Sequence, residues 1–392
     1  MKKLAIIITH PIQYYAPVFK LLAKRCNLKV FYTLGSAAES GLYDNGFHQI
    51  IKWDIDLLEG YDHEFLKNTA KKPGTHHFLG IKNPDIISII DNFNPDAILI
   101  YGWAYISHLK VMRYFHRKVP VWFRGDSHLL DSKPLWKKLA RKGFLKWVYS
   151  HIDKAFCVGN ANKTYYKDFG LKEDQLLFTP HAIDNDRFSE DRNEEVNLLR
   201  KSFGIKDDET LILFAGKFER KKNPELLLQA FLDLNLQHTH LLFVGNGDLE
   251  ESLKLKAKKI LRRAQDDNYE IVHFMDFQNQ SYMPVVYQAC DLFVLPSQGP
   301  GETWGLAVNE AMASGKAVMV SDKVGCATDL IDPKKNGDIF QSANHPDFIS
   351  KLSALASNKI QLKQMGLQSK AKIKDWNFDQ QINQIIKELH AI

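Results

Sequence analysis

A chain of 392 residues, 45% hydrophobic and 25% charged, is longer than single cores usually grow and too apolar for a disordered protein. Its longest apolar run, "AILIYGWAYI" at 97–106, falls far short of the roughly 20 residues that cross a bilayer as a helix. The net charge of +6 is local: residues 1–190 hold 27 Lys and Arg against 19 Asp and Glu, and residues 110–150 alone hold 11 against 2. That excess asks for a local explanation, and no nucleic-acid partner is expected.

The opening "MKKLAIIITHP" puts two lysines before an apolar stretch, as a signal peptide would. The stretch ends at Thr9–His10–Pro11 without a small-residue cleavage site, and it reads as a first buried strand. Apolar, β-rich runs then stand at 4–9, 28–34, 96–102, 119–125, 154–159 and 175–181. A second series follows at 211–216, 240–245, 271–276, 291–297 and 316–322. Continuous apolar strands separated by amphipathic helical patterns imply parallel sheets covered on both faces. Eleven strands are too many for one sheet, and the polar stretch "IDNDRFSEDRNEE" at 183–195 divides them. The expected fold is therefore α/β, with two doubly wound Rossmann-like domains at 1–185 and 186–370 facing a central cleft. A C-terminal helix at 371–392 would return to the first domain. Cys26, Cys157, Cys290 and Cys326 are scattered and form no C-x-x-C pair. No disulfide framework or zinc site is expected, and a reducing cytosol fits.

In doubly wound folds the ligand sits beyond the carboxyl ends of the strands. Three such segments in the second half have phosphate-binding character. "AGKFERKKNPELLLQAF" (215–231) places Lys217, Arg220, Lys221 and Lys222 between a strand and a helix starting near Pro224. "VGNGDLEESL" (244–253) is a glycine turn opening a helix, and "PSQGPGETWGLAVNEAM" (296–312) is a glycine-rich loop feeding another. Glycines let backbone N–H groups approach a ligand, and a helix N-terminus favours anions. Each signal alone is weak, a glycine turn being usually only a turn and a lysine cluster usually a solvated face. Together, at the strand ends of one domain, they point to a diphosphate site.

Glu302 and Glu310 lie within this last segment. With a helix starting near Thr303, Glu302 would sit at its cap and Glu310 on the same side, two turns deeper. The bland alternative is a capping residue and a surface residue. Against it, Glu310 lies in "GLAVNEAMA" among core-type residues, where a carboxylate needs partners, and ligand hydroxyls are good ones.

The stretch "GPGETWGLAVNEAMASGKAVMVSDKVGCATDLI" (299–331) resembles the Glu–seven–Glu signature of retaining glycosyltransferases of the family-four class, which have the GT-B fold. "FAGKFERKKNPELLLQAF", "FVGNGDLEESL", "YMPVVYQACDLFVLPS" and "FTPHAIDNDRF" stand around it in the family's order, so the resemblance covers roughly residues 150–350. It implies that Gly216, Lys217 and Lys222 hold a nucleotide diphosphate, with Lys222 also in the catalytic group. It further implies that Glu310 binds the ribose hydroxyls and Glu302 the donor sugar. The backbone of Gly301, Thr303, Trp304 and Gly305 would cradle phosphate and sugar, and Gly245, Gly247, Phe277 and Gln278 would border the base.

An Asp-x-Asp metal clamp belongs to the other large glycosyltransferase fold. "DID" at 54–56 and "DND" at 184–186 match its letters only by accident of position, and no metal and no cofactor is expected. The first half resembles the family more loosely. After its first strand stands "THPIQYYAPV" with no glycine, where His10 and Gln13 are acceptor-side candidates; a helix-entry part for His10 is an equal alternative. In "VWFRGDSHLL" (121–130), Asp126 and His128 both suit a catalytic-region position and the alignment does not decide between them; Arg124 is a further acceptor-side candidate. Trp103 suits packing or acceptor stacking.

"KPLWKKLARKGFLKWV" (133–148) sets Trp136, Leu139, Ala140, Phe144, Trp147 and Val148 at helical spacing, with Lys137, Lys138, Arg141, Lys142 and Lys146 on other faces. It reads as a domain helix with a solvated basic side or as an interfacial helix on anionic lipid. The expectation is a cytoplasmic, metal-independent retaining glycosyltransferase, peripheral to the membrane. It would move a sugar from a nucleotide-sugar donor to a glycan or lipid-linked acceptor in surface polysaccharide biosynthesis. Rival readings are a nucleotide-sugar epimerase of the same fold and a non-catalytic glycan- or nucleotide-binding protein. A nicotinamide dehydrogenase lacks its G-x-G-x-x-G turn here.

Overall fold

The computed structural model describes residues 1–36, 41–44, 46–131, 135–261 and 271–392. The chain divides into two compact units, one of Met1–Leu42, Ile51–Ala182 and Asn377–Ile392, the other of Tyr43–Ile50 and Ile183–Trp376. The described strands are β1 Lys3–Ile8, β2 Asn27–Tyr32, β3 Leu42–Asp44, β4 Gln49–Ile51, β5 Asp62–Phe65, β6 Ala97–Tyr101, β7 Val121–Arg124, β8 Lys154–Cys157, β9 Leu176–Phe178, β10 Thr210–Ala215, β11 Thr239–Val244, β12 Val272–Met275, β13 Leu292–Leu295, β14 Ala317–Ser321 and β15 Gly337–Phe340.

The first unit holds a parallel sheet in the order β5-β2-β1-β6-β7-β8-β9. Along β1, Leu4, Ile6 and Ile8 enter the core on one face while Ala5 and Ile7 enter the core on the other. Burial on both faces is why this strand reads as an unbroken apolar run. The helix Phe378–His390 adds Ile382, Ile385, Ile386 and Leu389 to the first of these cores.

The second unit holds a parallel sheet in the order β12-β11-β10-β13-β14-β15. Strand order reverses between β10 and β13, which is the switch point where this architecture takes its ligands. The loops after those two strands are residues 216–223 and 296–305. Both units are doubly wound, as the alternation of strands and helices predicts.

Four strands lie beyond the eleven read from the sequence. β5 ("DHEF") and β15 ("GDIF") close sheet edges, where one flank faces no neighbour and polar residues are tolerated. β3 and β4 form a separate two-stranded hairpin. The stretch 183–195 contains the short helix Asn185–Ser189 with Phe188 buried, and a further helix runs from Asn193 to Ser202. The four cysteines are free and buried.

Candidate active site

The switch point of the second unit is built by three loops that hydrogen-bond to one another. After β10, Gly216 donates to Val244 O at 2.9 Å, and Phe218 exchanges backbone bonds with Asn246 and Leu249 at 2.9 Å. Gly245 (φ 134°) passes so near this loop that a Cβ there would lie 2.2 Å from Gly216 O, which admits only glycine. From the third loop, Gln298 N donates to Lys221 O at 2.8 Å and its amide side chain to Arg220 O at 2.7 Å.

At this seam Lys222 and Glu302 meet. Lys222 Nζ donates to Glu302 Oε2 at 2.7 Å, and Ser297 Oγ donates to the same oxygen at 2.9 Å. The Glu302 side chain is only 9% exposed and that of Lys222 16%. Burial alone would raise the Glu302 carboxyl, but the charge and hydrogen bond of Lys222, the Ser297 hydroxyl and Lys221 outweigh it and hold it below its ordinary value. The site therefore keeps a buried ionised carboxylate against an ammonium.

The helix after this loop runs Leu306–Ala313, with Gly305 (φ 96°) as its N-cap. This corrects the start expected near Thr303. Glu302 lies three residues upstream of the cap and within the loop, because Gly305 supplies the left-handed turn at which the helix begins. Its neighbours fix the loop: Gly325 N donates to Glu302 O at 3.1 Å and Cys326 N to Trp304 O at 3.0 Å. Trp304 is buried and its indole N–H donates to Asn309 Oδ1 at 2.9 Å, so its ring braces the helix entrance. Thr303 is half-buried beside it, while Gly301 (φ 93°) is exposed with open space where a Cβ would project.

Glu310 lies on the second turn of that helix, buried, and accepts a 2.8 Å hydrogen bond from the Tyr287 hydroxyl. Tyr287 comes from the helix Met283–Ala289 and packs edge-on against Phe188. Sequence spacing did not show this phenol partner.

The second glycine loop brings Gly247 (φ 150°) beside Asn246, whose side-chain oxygen accepts from Phe277 N at 2.8 Å. Gln278, half-buried, turns its amide to Asp276 O at 3.0 Å. A cavity of about 320 Å³ opens here, lined among others by Asn246, Asp276, Phe277, Phe47 and His48. The last two belong to the tip between β3 and β4, which sequence reasoning missed. Lys217 carries a partner from that tip as well: Asp44 Oδ1 and Oδ2 stand 2.7 and 2.9 Å from its Nζ.

The remaining candidates lie in the first unit. His10 is half-buried and shares a 2.9 Å hydrogen bond with Thr9 Oγ1, and burial pushes its imidazole down to about 4. The following helix starts only at Ala16, so His10 is not its entry residue; Gln13 is half-buried in the intervening turn. Arg124, 1% exposed, gives its guanidinium N–H groups to Thr179 O, Thr179 Oγ1 and Pro180 O at 3.0, 2.6 and 3.2 Å. That geometry makes it a strut for the turn after β9, in place of the acceptor contact expected from sequence. Asp126 is half-buried, and His128 is buried with Nδ1 accepting from Leu130 N at 3.2 Å. The segment that carries them is tied down by Asn162 to Ser127 O and Tyr166 to Gly125 O. Trp103 packs against Phe144, 5.5 Å between ring centres. One aspartate of each Asp-x-Asp look-alike serves a local turn: Asp56 accepts from Leu58 and Glu59 N–H, and Asp184 caps the helix at Asn185.

The basic segment forms the helix Leu135–Tyr149. The side chains of Trp136, Lys137, Lys138, Leu139 and Ala140 lie outside the described residues. Leu145, Val148, Tyr149 and Ile152 face the core, whereas Phe144 and Trp147 are 44% and 42% exposed. The buried stripe follows the 145, 148, 149, 152 spacing, which turns the other two aromatics outward. Lys142 pairs with Asp168 at 2.5 Å. Among the described residues no helix is long and apolar enough to cross a membrane.

Two doubly wound units, the second with glycine-bearing loops at its sheet switch point, have the GT-B type of fold that the solved structure below shares. Residues 195–372, nearly all of the second unit, match the family described as glycosyl transferases group 1. The Anabaena protein HepE, solved in complex with UDP, shares the fold over 100% of both chains with a TM-score of 0.74 and 16% identity. An uncharacterized glycosyltransferase of Methanocaldococcus jannaschii is 32% identical over 158 residues, 40% of this chain and 38% of its own. The lipopolysaccharide 1,2-N-acetylglucosaminetransferase of Salmonella typhimurium is 34% identical over 145 residues, 36% of this chain and 37% of its own. The matched stretch thus spans less than half the length of either curated relative.

Proposed function

We propose that this protein is a retaining glycosyltransferase that uses a nucleoside-diphosphate sugar as donor and a glycan or lipid-linked hydroxyl as acceptor, in the assembly of a surface polysaccharide. The observation that carries the reading is the buried Glu302 carboxylate held by Lys222 and Ser297 at the switch point of the second unit. A structural ion pair gains little from such burial, because desolvation offsets most of the attraction. A site that must meet opposite charges developing on sugar and phosphate has a use for both partners.

In the reaction, the bond from the anomeric carbon to the diphosphate oxygen breaks. The acceptor hydroxyl oxygen bonds to that carbon on the same face, and its proton goes to the departing diphosphate. Negative charge grows on phosphate while the sugar becomes oxocarbenium-like. We assign the first charge to Lys217, Lys222 and the amides that open the helix Leu306–Ala313. Glu302 is assigned to the sugar and Glu310 to the ribose hydroxyls, with Tyr287 orienting its carboxylate. Gly245, Gly247, Phe277 and Gln278 border the base, and UDP in the Anabaena neighbour makes uridine the first base to test. With lysines and a helix terminus meeting the phosphate charge, the reading requires no metal. Asp126 or His128 of the first unit is assigned to the catalytic-region position, against the donor sugar or the acceptor hydroxyl.

The test is turnover of UDP-, GDP- and ADP-sugars, with product anomers read by NMR. Release of the nucleoside diphosphate with retention at the anomeric carbon supports the reading. Interconversion of the sugar without transfer would make the protein an epimerase.

A further inference from the structure

We infer that the tip of the β3–β4 hairpin is a self-ligand of the donor site: the Asp44 carboxylate occupies the Lys217 ammonium until a donor diphosphate takes it. The inference rests on the donor-site reading above and adds a competitor inside the same chain.

Asp44 meets Lys217 with both oxygens, at 2.7 and 2.9 Å, and the two residues are 173 positions apart in sequence. The carboxylate is fixed within the tip by its own backbone, accepting from Gly46 N at 2.8 Å and Phe47 N at 3.2 Å. Gly46 lies so close to the lysine stem that a Cβ there would stand 2.5 Å from Lys217 Cδ. Phe47 faces the same ammonium at 5.2 Å and packs edge-on against Phe277 at 4.8 Å. His48 Nε2 meets Asp248 Oδ1 at 2.8 Å. The tip therefore touches the loops after β10, β11 and β12 together, all three of which border the nucleotide in the donor-site reading.

Charge and exposure decide which anion wins. A carboxylate carries one negative charge, whereas a terminal phosphate carries up to about two and offers three oxygens. The Asp44 and Lys217 side chains are about 30% exposed, so water screens their attraction and holds the pair only loosely. Such a contact keeps the lysine oriented and yields to a stronger anion. While the tip is seated, the competent fraction of sites falls and the apparent affinity for donor falls with it.

The experiment is calorimetric titration of wild type, Asp44→Asn and Phe47→Ala with UDP, GDP and ADP, joined to hydrogen exchange of the Gly46–Gln49 amides with and without saturating nucleotide. Whichever diphosphate wild type binds should bind both variants more tightly, by about three- to fivefold for Asp44→Asn. Exchange at the tip should quicken on saturation. Unchanged or weaker binding by Asp44→Asn, or slower exchange at the tip, overturns the self-ligand inference and makes the tip a wall of the donor site. Phe47→Ala carries the test should Asp44→Asn fail to fold. Failure of wild type to bind any of the three would instead overturn the donor-site reading.

Discussion

The ammonium of Lys222 and the carboxylate of Glu302 are 2.7 Å apart, 80 residues apart in sequence, and nearly closed to solvent. Removing either one takes from the other its buried ionic partner. Lys222→Met should cost about 2–4 kcal/mol in urea unfolding at pH 7. Because Glu302 is held below its ordinary value, its contribution is present at neutral pH and is lost as pH falls through the carboxylate range. The deficit of the variant should therefore shrink toward pH 3; an equal deficit at both pH values would mean that packing alone was lost.

A second pH dependence comes from imidazoles. Burial pushes His10, His108 and His273 down to about 4, and His181 and His240 also fall below their ordinary value. In the second unit His240 bonds His273 at 3.0 Å and Glu209 at 3.2 Å, with Arg200 and Lys206 nearby. The unfolded chain takes up these protons near pH 6.5, before the folded one does, so stability is full above that pH and declines below it. His10, His108 and His273 each add up to about 1.4 kcal/mol per pH unit to the slope between about 6.5 and 4. Urea midpoints should fall steeply from pH 7.5 to 5, and His273→Phe should flatten the fall; midpoints that stay level across that window contradict the account.

Donor turnover, including slow hydrolysis without acceptor, should survive excess EDTA if the phosphate charge is met, as proposed, by lysines and a helix terminus. Activity lost on chelation and restored by Mn²⁺ or Mg²⁺ would show that a metal shares that task.

The helix Leu135–Tyr149 supplies a membrane test. Changing Lys137, Lys138, Arg141, Lys142 and Lys146 to Gln should weaken co-sedimentation with anionic liposomes, at about 1 kcal/mol per charge near the surface. Nucleotide affinity should stay intact. Phe144→Ser with Trp147→Ser should weaken it further, because both aromatics already face outward. Unchanged co-sedimentation would make this a solvated domain helix.

Strands buried on both faces announce themselves as apolar runs, which is why the two doubly wound sheets were legible without a structure. The edge strands β5 and β15 were not, since an edge tolerates Asp62, His63 and Asp338. Lys217, Lys222, Glu302 and Glu310 stand out because they follow strands in glycine-bearing segments. Their partners do not. Asp44 reaches Lys217 across 173 residues and Tyr287 reaches Glu310 across 23, and no local pattern encodes such meetings. The helix start was misplaced because Gly305, one of several glycines in the loop, sets the turn by its left-handed φ of 96°. Phe144 and Trp147 were grouped with Val148 by spacing, while the core selected Leu145 instead.

The most direct measurement compares Glu302→Gln with Glu310→Gln, by calorimetric titration with the nucleoside diphosphate and by turnover at saturating donor. Glu310, assigned to a part of the donor that does not react, should lose about 1.5–3 kcal/mol of diphosphate affinity when changed, the worth of a hydrogen bond to a charged group. Glu302, assigned to the sugar where positive charge develops, should matter in the transition state. Glu302→Gln should bind the bare diphosphate almost as wild type does and lose most of its turnover. Normal turnover by Glu302→Gln, or wild-type diphosphate affinity in Glu310→Gln, would contradict the assignment of these two carboxylates.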